Sequence, residues 1–187
     1  MKYLKKAPWL AAGGAFFMSL VALLPASQNP EARIAATSQP SHQKVVSKDS
    51  YCALEGVGEA VSVAQVYDGD TLLLEDGRKV RLLGLNTPEL GRGKKPDQAF
   101  AREAKRAVEH FFADGQQIWI QTDSQLLDKH GRVLAHVFKG GSMEQSINLE
   151  QTLLESGLAW HVAVPPNLGL APCLANAESK AQQAGRG

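Results

Sequence analysis

Net charge is scarce in this sequence. The 187 residues carry 20 Lys and Arg against 19 Asp and Glu. A protein that coats nucleic acid by charge alone is strongly basic, so that class is excluded, while local positive charge at a single site is not. From Ala7 to Ala26 there is no charge at all, only a run rich in Leu, Phe, Ala and Gly behind Lys2, Lys5 and Lys6. Basic residues before an apolar stretch read as a secretory signal. At about 20 residues the run is also long enough for a membrane anchor. Small residues near Ala26 and at Ala35–Ala36 offer cleavage positions, but no A-x-A follows directly on the run. Export is therefore expected, to the periplasm, the medium or the outer face of a membrane. A tether through residues 7–26 stays open. Without residues 1–26 the balance turns slightly acidic.

Large apolar residues are lacking in the next stretch, SQNPEARIAATSQPSHQKVVSKDS, which has no period and reads, with the residues up to 55, as a flexible linker. Cysteine is limited to Cys52 and Cys173. In an exported chain such a pair invites a disulfide, and the alternative is two unrelated buried thiols. No segment repeats, so the elements are read one at a time.

What is present begins near Gly56 and is expected to form one domain over residues 56–187. VSVAQV, TLLLE and KVRLLGL are β-type runs, and Asp76-Gly77 marks a hairpin between the last two. Residues 97–113 place Phe100, Ala104, Val108 and Phe111 at helical spacing, and Gly115 ends the helix. QIWIQT and VLAHVF alternate as strands, with a polar loop between them. Residues 147–156 and 169–184 read as helices, and LAWHVAV as a short strand or an extended segment. Trp119, Trp160 and the Phe residues of the first helix are expected in the core. Five short strands with two or three helices in this order predict an α+β fold on a small closed barrel.

Three polar clusters interrupt these elements: Asp68-Gly69-Asp70-Thr71, the run from Arg81 to Asn86-Thr87-Pro88-Glu89, and Asp128-Lys129-His130-Gly131-Arg132. Each alone is an ordinary turn or cap. Together they supply what phosphodiester hydrolysis demands. A phosphate gaining charge must be neutralised, and arginine does this with a planar two-donor fork that stays charged. Arg81 and Arg132 stand on separate elements and suit that task. A hard divalent cation requires oxygen ligands such as Asp70 and groups near Asn86 and Thr87. Glu89, on a turn fixed by Pro88, is placed to act as general base.

The order VYDGDT, RLLGLNTPE, DKHGR and ESGLAW resembles the staphylococcal nuclease (thermonuclease) family from about Gly56 to Ala184. The resemblance implies a five-stranded OB-fold barrel with about three helices. It implies a calcium-dependent nuclease that cuts DNA and/or RNA and leaves 3′-phosphate ends. Position by position, it makes Asp70 a metal carboxylate, Thr87 a backbone ligand of calcium, Arg81 and Arg132 phosphate-binding catalytic residues, and Glu89 the base that activates water. Lys129 and His130 become substrate contacts. No protein partner is implied.

Three departures from the family pattern stand out. Asn86 replaces a second metal-binding aspartate, bringing an amide oxygen without charge. His130 replaces a tyrosine in the turn, and Ala163 and Pro165 replace a tyrosine pair. Arg92, Lys94 and Lys95 form a basic loop that either contacts flanking phosphates or is merely solvated. The competing functional reading is a barrel retired from catalysis that binds nucleic acid or a protein partner. Retention of Asp70, Arg81, Glu89 and Arg132 favours the enzyme.

Overall fold

A computed structural model describes residues 52–56, 58–142 and 145–187, all within the second of the chain's two compact units, Lys44–Gly187. The apolar run at 7–26 lies outside the described residues, as does all but the end of the expected linker. Among the described residues no helix is long and apolar enough to cross a membrane.

The expected first strand is split at Ser62 into β1 (Glu59–Val61) and β2 (Val63–Val66). β2 pairs with β3 (Thr71–Leu74), which turns back into β4 (Lys79–Leu82). Gly77 makes that turn at φ 88°, a conformation glycine adopts without a Cβ penalty, and its N–H donates to the Leu74 carbonyl at 3.1 Å. β1 pairs instead with β6 (Ile118–Leu127), Glu59 facing Ile120 and Val61 facing Ile118. β7 (Val133–Lys139) joins β6 antiparallel and β4 parallel. The sheet order is therefore β1-β6-β7-β4-β3-β2, with β8 (Ile147–Asn148) added to β7. Its two ends are consecutive pieces of one segment, so the sheet curls back on itself. A separate ribbon pairs β5 (Leu85–Asn86) with β9 (Trp160–His161), resolving LAWHVAV as a short strand.

The described residues contain three helices: α1 (Ala101–Phe112), α2 (Leu149–Glu155) and α3 (Ala171–Gln183). The core joins Leu72, Leu74 and Leu82 of the sheet to Val108, Leu153 and Leu174 of the helices. Each fully buried side chain of this size contributes roughly 1.5–3 kcal/mol. The disulfide forms: Cys52 and Cys173, with Cα atoms 5.5 Å apart, tie the segment before β1 to α3. The fold is α+β with an OB-like curled sheet.

Several elements depart from the sequence reading. α1 begins at Ala101 rather than 97, because Asp97 and Gln98 spend their side chains on the N–H groups of Gly91 and Glu89. Phe100 consequently sits before the helix at φ 66° and is 53% exposed instead of joining the core. β6 continues through the stretch expected as a polar loop, to Leu127. Residues 147–148 are strand, and the Asn148 side chain then caps α2, accepting from the Gln151 N–H at 2.6 Å. Trp119 is half-buried, donating to the Gly140 carbonyl at 3.1 Å, but Trp160 is 44% exposed. It belongs to a two-residue strand in a two-stranded ribbon, too narrow to cover both of its faces.

Candidate functional site

The DGDT turn joins β2 to β3. Asp68 accepts from the Asp70 N–H at 3.2 Å, and the Tyr67 N–H closes the turn on the Thr71 carbonyl at 3.0 Å. This drives the Asp70 side chain inward, where it is 6% exposed. Its Oδ1 accepts from the Thr71 hydroxyl at 3.1 Å. Its Oδ2 accepts from the Thr87 N–H at 3.2 Å and the Thr87 hydroxyl at 3.3 Å. Gly69 permits this approach, since a Cβ there would lie 2.6 Å from the Thr87 Oγ1. Burial pushes the Asp70 carboxyl up from its ordinary range despite the nearby Arg81 charge, and Asp68 adds to the rise.

Arg81 faces Thr71 across the β3–β4 pair, which brings its Nη2 within 3.4 Å of Asp70 Oδ2. The guanidinium is held by backbone acceptors: Nη1 donates to the Leu82 carbonyl at 2.6 Å and Nη2 to the Leu85 carbonyl at 3.0 Å. Nη2 also donates to the Asn86 amide oxygen.

Arg132 ends the Asp128–Arg132 turn, where Gly131 adopts φ 75°. Asp128 organises that turn: Oδ1 accepts from the His130 and Arg132 N–H groups at 2.8 and 2.9 Å, and Oδ2 from Arg132 Nε at 2.7 Å. Burial works to raise the Asp128 pKa, but these hydrogen bonds outweigh it and hold the carboxyl below its ordinary value. Glu89 follows Pro88. Its backbone is clamped by Gln98, whose side chain accepts from the Glu89 N–H at 2.8 Å and whose N–H donates back to the Glu89 carbonyl at 3.0 Å.

Two clefts meet at the arginines. The first, of about 720 Å³, is lined by Asp68, Asp70, Arg81, Glu89, Arg92 and Arg132, with Tyr67 and Lys79 at its side. The second, of about 530 Å³, is lined by Arg81, Asn86, Lys129, His130 and Arg132 over an apolar wall that includes Leu134, Val162 and Val164. Arg81 and Arg132 line both. Of the residues singled out from the sequence, Asp70, Arg81, Glu89 and Arg132 thus share one cleft, although they lie far apart along the chain. Asn86, Lys129 and His130 line the neighbouring one. Thr87 is buried and lines neither, bonded instead to Asp70.

The sequence reading passed over Asp68, Tyr67 and Lys79, which line the first cleft, and the positioning role of Asp128, which stood in a quoted motif. The acidic pair in DGD was the available signal for Asp68. Nothing in the local pattern distinguishes Lys79 from any other strand-end lysine.

Residues 79–187 match the family model described as staphylococcal nuclease homologue. The chain is 33% identical over 129 residues to a thermonuclease of Staphylococcus intermedius, covering 67% of this chain and 73% of that one. It is 29% identical over 128 residues to a thermonuclease of Staphylococcus hyicus, covering 67% and 72%. An uncharacterised protein of Bacillus anthracis is 34% identical over 130 residues, covering 67% of this chain and 58% of that protein.

Proposed function

The chain belongs to the staphylococcal nuclease homologue family, and on that premise we propose that it is an exported, calcium-assisted nuclease hydrolysing the phosphodiester backbone of DNA or RNA. One observation carries the reading: two guanidinium groups and the Asp70 and Glu89 carboxylates line a single cleft, with both arginines anchored by groups other than a substrate. Donors fixed in advance stabilise a phosphate that gains charge without reorganising during the reaction.

In this mechanism Arg81 and Arg132 grip the non-bridging oxygens of the scissile phosphate. Glu89 accepts a proton from water, whose oxygen forms a new bond to phosphorus. The bond from phosphorus to the 5′-oxygen breaks and that oxygen leaves as a 5′-hydroxyl on taking a proton from solvent, so the phosphate stays on the 3′ end. The DGDT side of the cleft fits a hard divalent cation in the chemistry of its donors, which are all oxygen. Of the residues read as calcium ligands only Asp70 lines this cleft, and it would hold the ion there, which supplies charge neutralisation at the phosphate. Asn86 lines the neighbouring cleft and Thr87 lines neither, so their oxygens would have to turn toward Asp70 to complete the set. Burial makes the ionised Asp70 costly, and a cation relieves that cost.

The alternative is a barrel that binds nucleic acid without cutting it. The observation favouring it is that the Asn86 oxygen, uncharged, is already engaged by Arg81. Digestion of plasmid and RNA with calcium and with chelator decides between the two. Cutting that requires calcium and falls about 10²–10³-fold in Glu89→Ala and Arg132→Ala supports the nuclease. Parent-like rates in both variants, or tight binding with no turnover under any divalent ion, overturn it.

A further inference from the structure

The segment from Glu89 to Gln98 is a loop closed on itself. Gln98 bonds both backbone groups of Glu89. Asp97 Oδ1 accepts from the Gly91 N–H at 2.8 Å, while its Oδ2 takes the Nε of Arg102 at 2.5 Å. The Lys95 N–H donates to the Arg92 carbonyl at 3.1 Å. The loop is folded so tightly that a Cβ on Gly91 would stand 2.0 Å from the Lys95 carbonyl oxygen. Such a loop holds Glu89, Gly91 and Arg92 on one wall of the first cleft. Of its three basic residues only Arg92 lines that cleft. Lys94 and Lys95 do not.

Arg92 differs from the other cations there. Arg81 is paired with Asp70 and Arg132 with Asp128. Lys79 lies over the Tyr67 ring, 5.2 Å from its centroid. Among the described residues the Arg92 guanidinium has no acidic partner. An unpaired guanidinium in a cleft is matched in charge and donor geometry to a phosphate oxygen pair. The cleft, at about 720 Å³, lies within the range of roughly 300–1,000 Å³ that houses whole small ligands. It therefore has room for more than the one phosphate held by Arg81 and Arg132. A nucleic-acid strand supplies the next phosphate one nucleotide along.

Resting on the nuclease reading, we propose that Arg92, held by this closed loop, binds the phosphate adjacent to the scissile one on the Glu89 side, so that the cleft selects polynucleotides over single nucleotides.

The test is a binding measurement that needs no turnover. A fluorescent pentathymidylate and, by competition, thymidine 5′-monophosphate are titrated with calcium onto Glu89→Gln protein, with and without Arg92→Ala. The expected loss on the pentanucleotide is about five- to tenfold, the scale of one charge-assisted contact, against under about twofold on the monophosphate. The salt dependence of pentanucleotide binding becomes shallower by about 0.7 in log–log slope, one single-strand phosphate contact. Arg92→Lys restores that slope, and Lys94→Ala leaves it in place. Equal loss on both ligands, or loss on neither, overturns the proposal. A selective loss, alongside a wild-type protein that cuts nothing with calcium, retains the flanking contact and sinks the nuclease reading. A parent that binds neither ligand sinks both.

Discussion

Arg81 Nη2 lies 3.4 Å from Asp70 Oδ2, yet the Asp70 carboxyl is pushed up rather than down, because burial outweighs the attraction. The two are neighbours because Thr71 faces Arg81 across β3 and β4. Burial and the Asp68 charge thus disfavour the ionised form of Asp70, and Arg81 only partly offsets them.

A stability prediction follows directly. A carboxyl whose folded pKa is raised binds its proton more tightly folded than unfolded. Stability therefore falls as pH rises from the ordinary value of 3.8 through the folded one, and the deficit is complete above both. In chelator at pH 7, Asp70→Asn should unfold at a higher temperature than the parent. The gap should narrow as pH falls through the folded value and close below 3.8, where the carboxyl is protonated in the folded and unfolded chain alike. A lower midpoint at pH 7 means that the Arg81 attraction outweighs burial.

Gly69→Ala should damage activity more than folding. The new Cβ would sit 2.6–2.7 Å from three atoms of Thr87, forcing the DGDT turn away from the residue that donates twice to Asp70. A displacement of about 1 Å near a catalytic centre costs on the order of 10²-fold. Digestion rates against an intact far-UV spectrum check this, and parent-like rates would show that the packing yields.

Asn86→Asp should tighten calcium binding by on the order of tenfold, or about 1.4 kcal/mol, by adding a second negative ligand beside Asp70. Isothermal titration reads it. Unchanged affinity would mean that position 86 serves only as the acceptor for Arg81.

Reduction of Cys52–Cys173 should lower stability by about 4–5 kcal/mol in the chain-entropy account, since the bridge spans a sequence separation of 121. Urea unfolding with and without reductant measures it. A loss under about 1 kcal/mol would place the constraint elsewhere, in packing of α3 that survives without the bond.

The local elements were legible because each depends on near neighbours. Asp76-Gly77 marks its hairpin, and the alternation in QIWIQT and VLAHVF marks strands, through backbone geometry that needs no distant partner. The start of α1 was not legible. Residues 97–100 carry the helical spacing, but Asp97 and Gln98 bond backward to Gly91 and Glu89, an event visible only once the loop is folded. Trp160 likewise has a core residue's apolar bulk and ends up exposed on a narrow ribbon.

By itself the sequence determined the chemical types at the site, the turns that carry them and the family they resemble, because residue type and short spacing are local properties. The tertiary structure decided which of those groups meet. It set Asp70, Arg81, Glu89 and Arg132 on one cleft and turned Asn86 toward the other. Of three basic loop residues it brought Arg92 alone to the cleft wall. The physical reason is sheet pairing: one segment shared by β2 and β1 curls the sheet, and the parallel β4–β7 contact sets Arg81 opposite Leu134, near the turn that ends at Arg132. Pairings over such distances are settled by the burial of the whole core, which no stretch of sequence specifies alone.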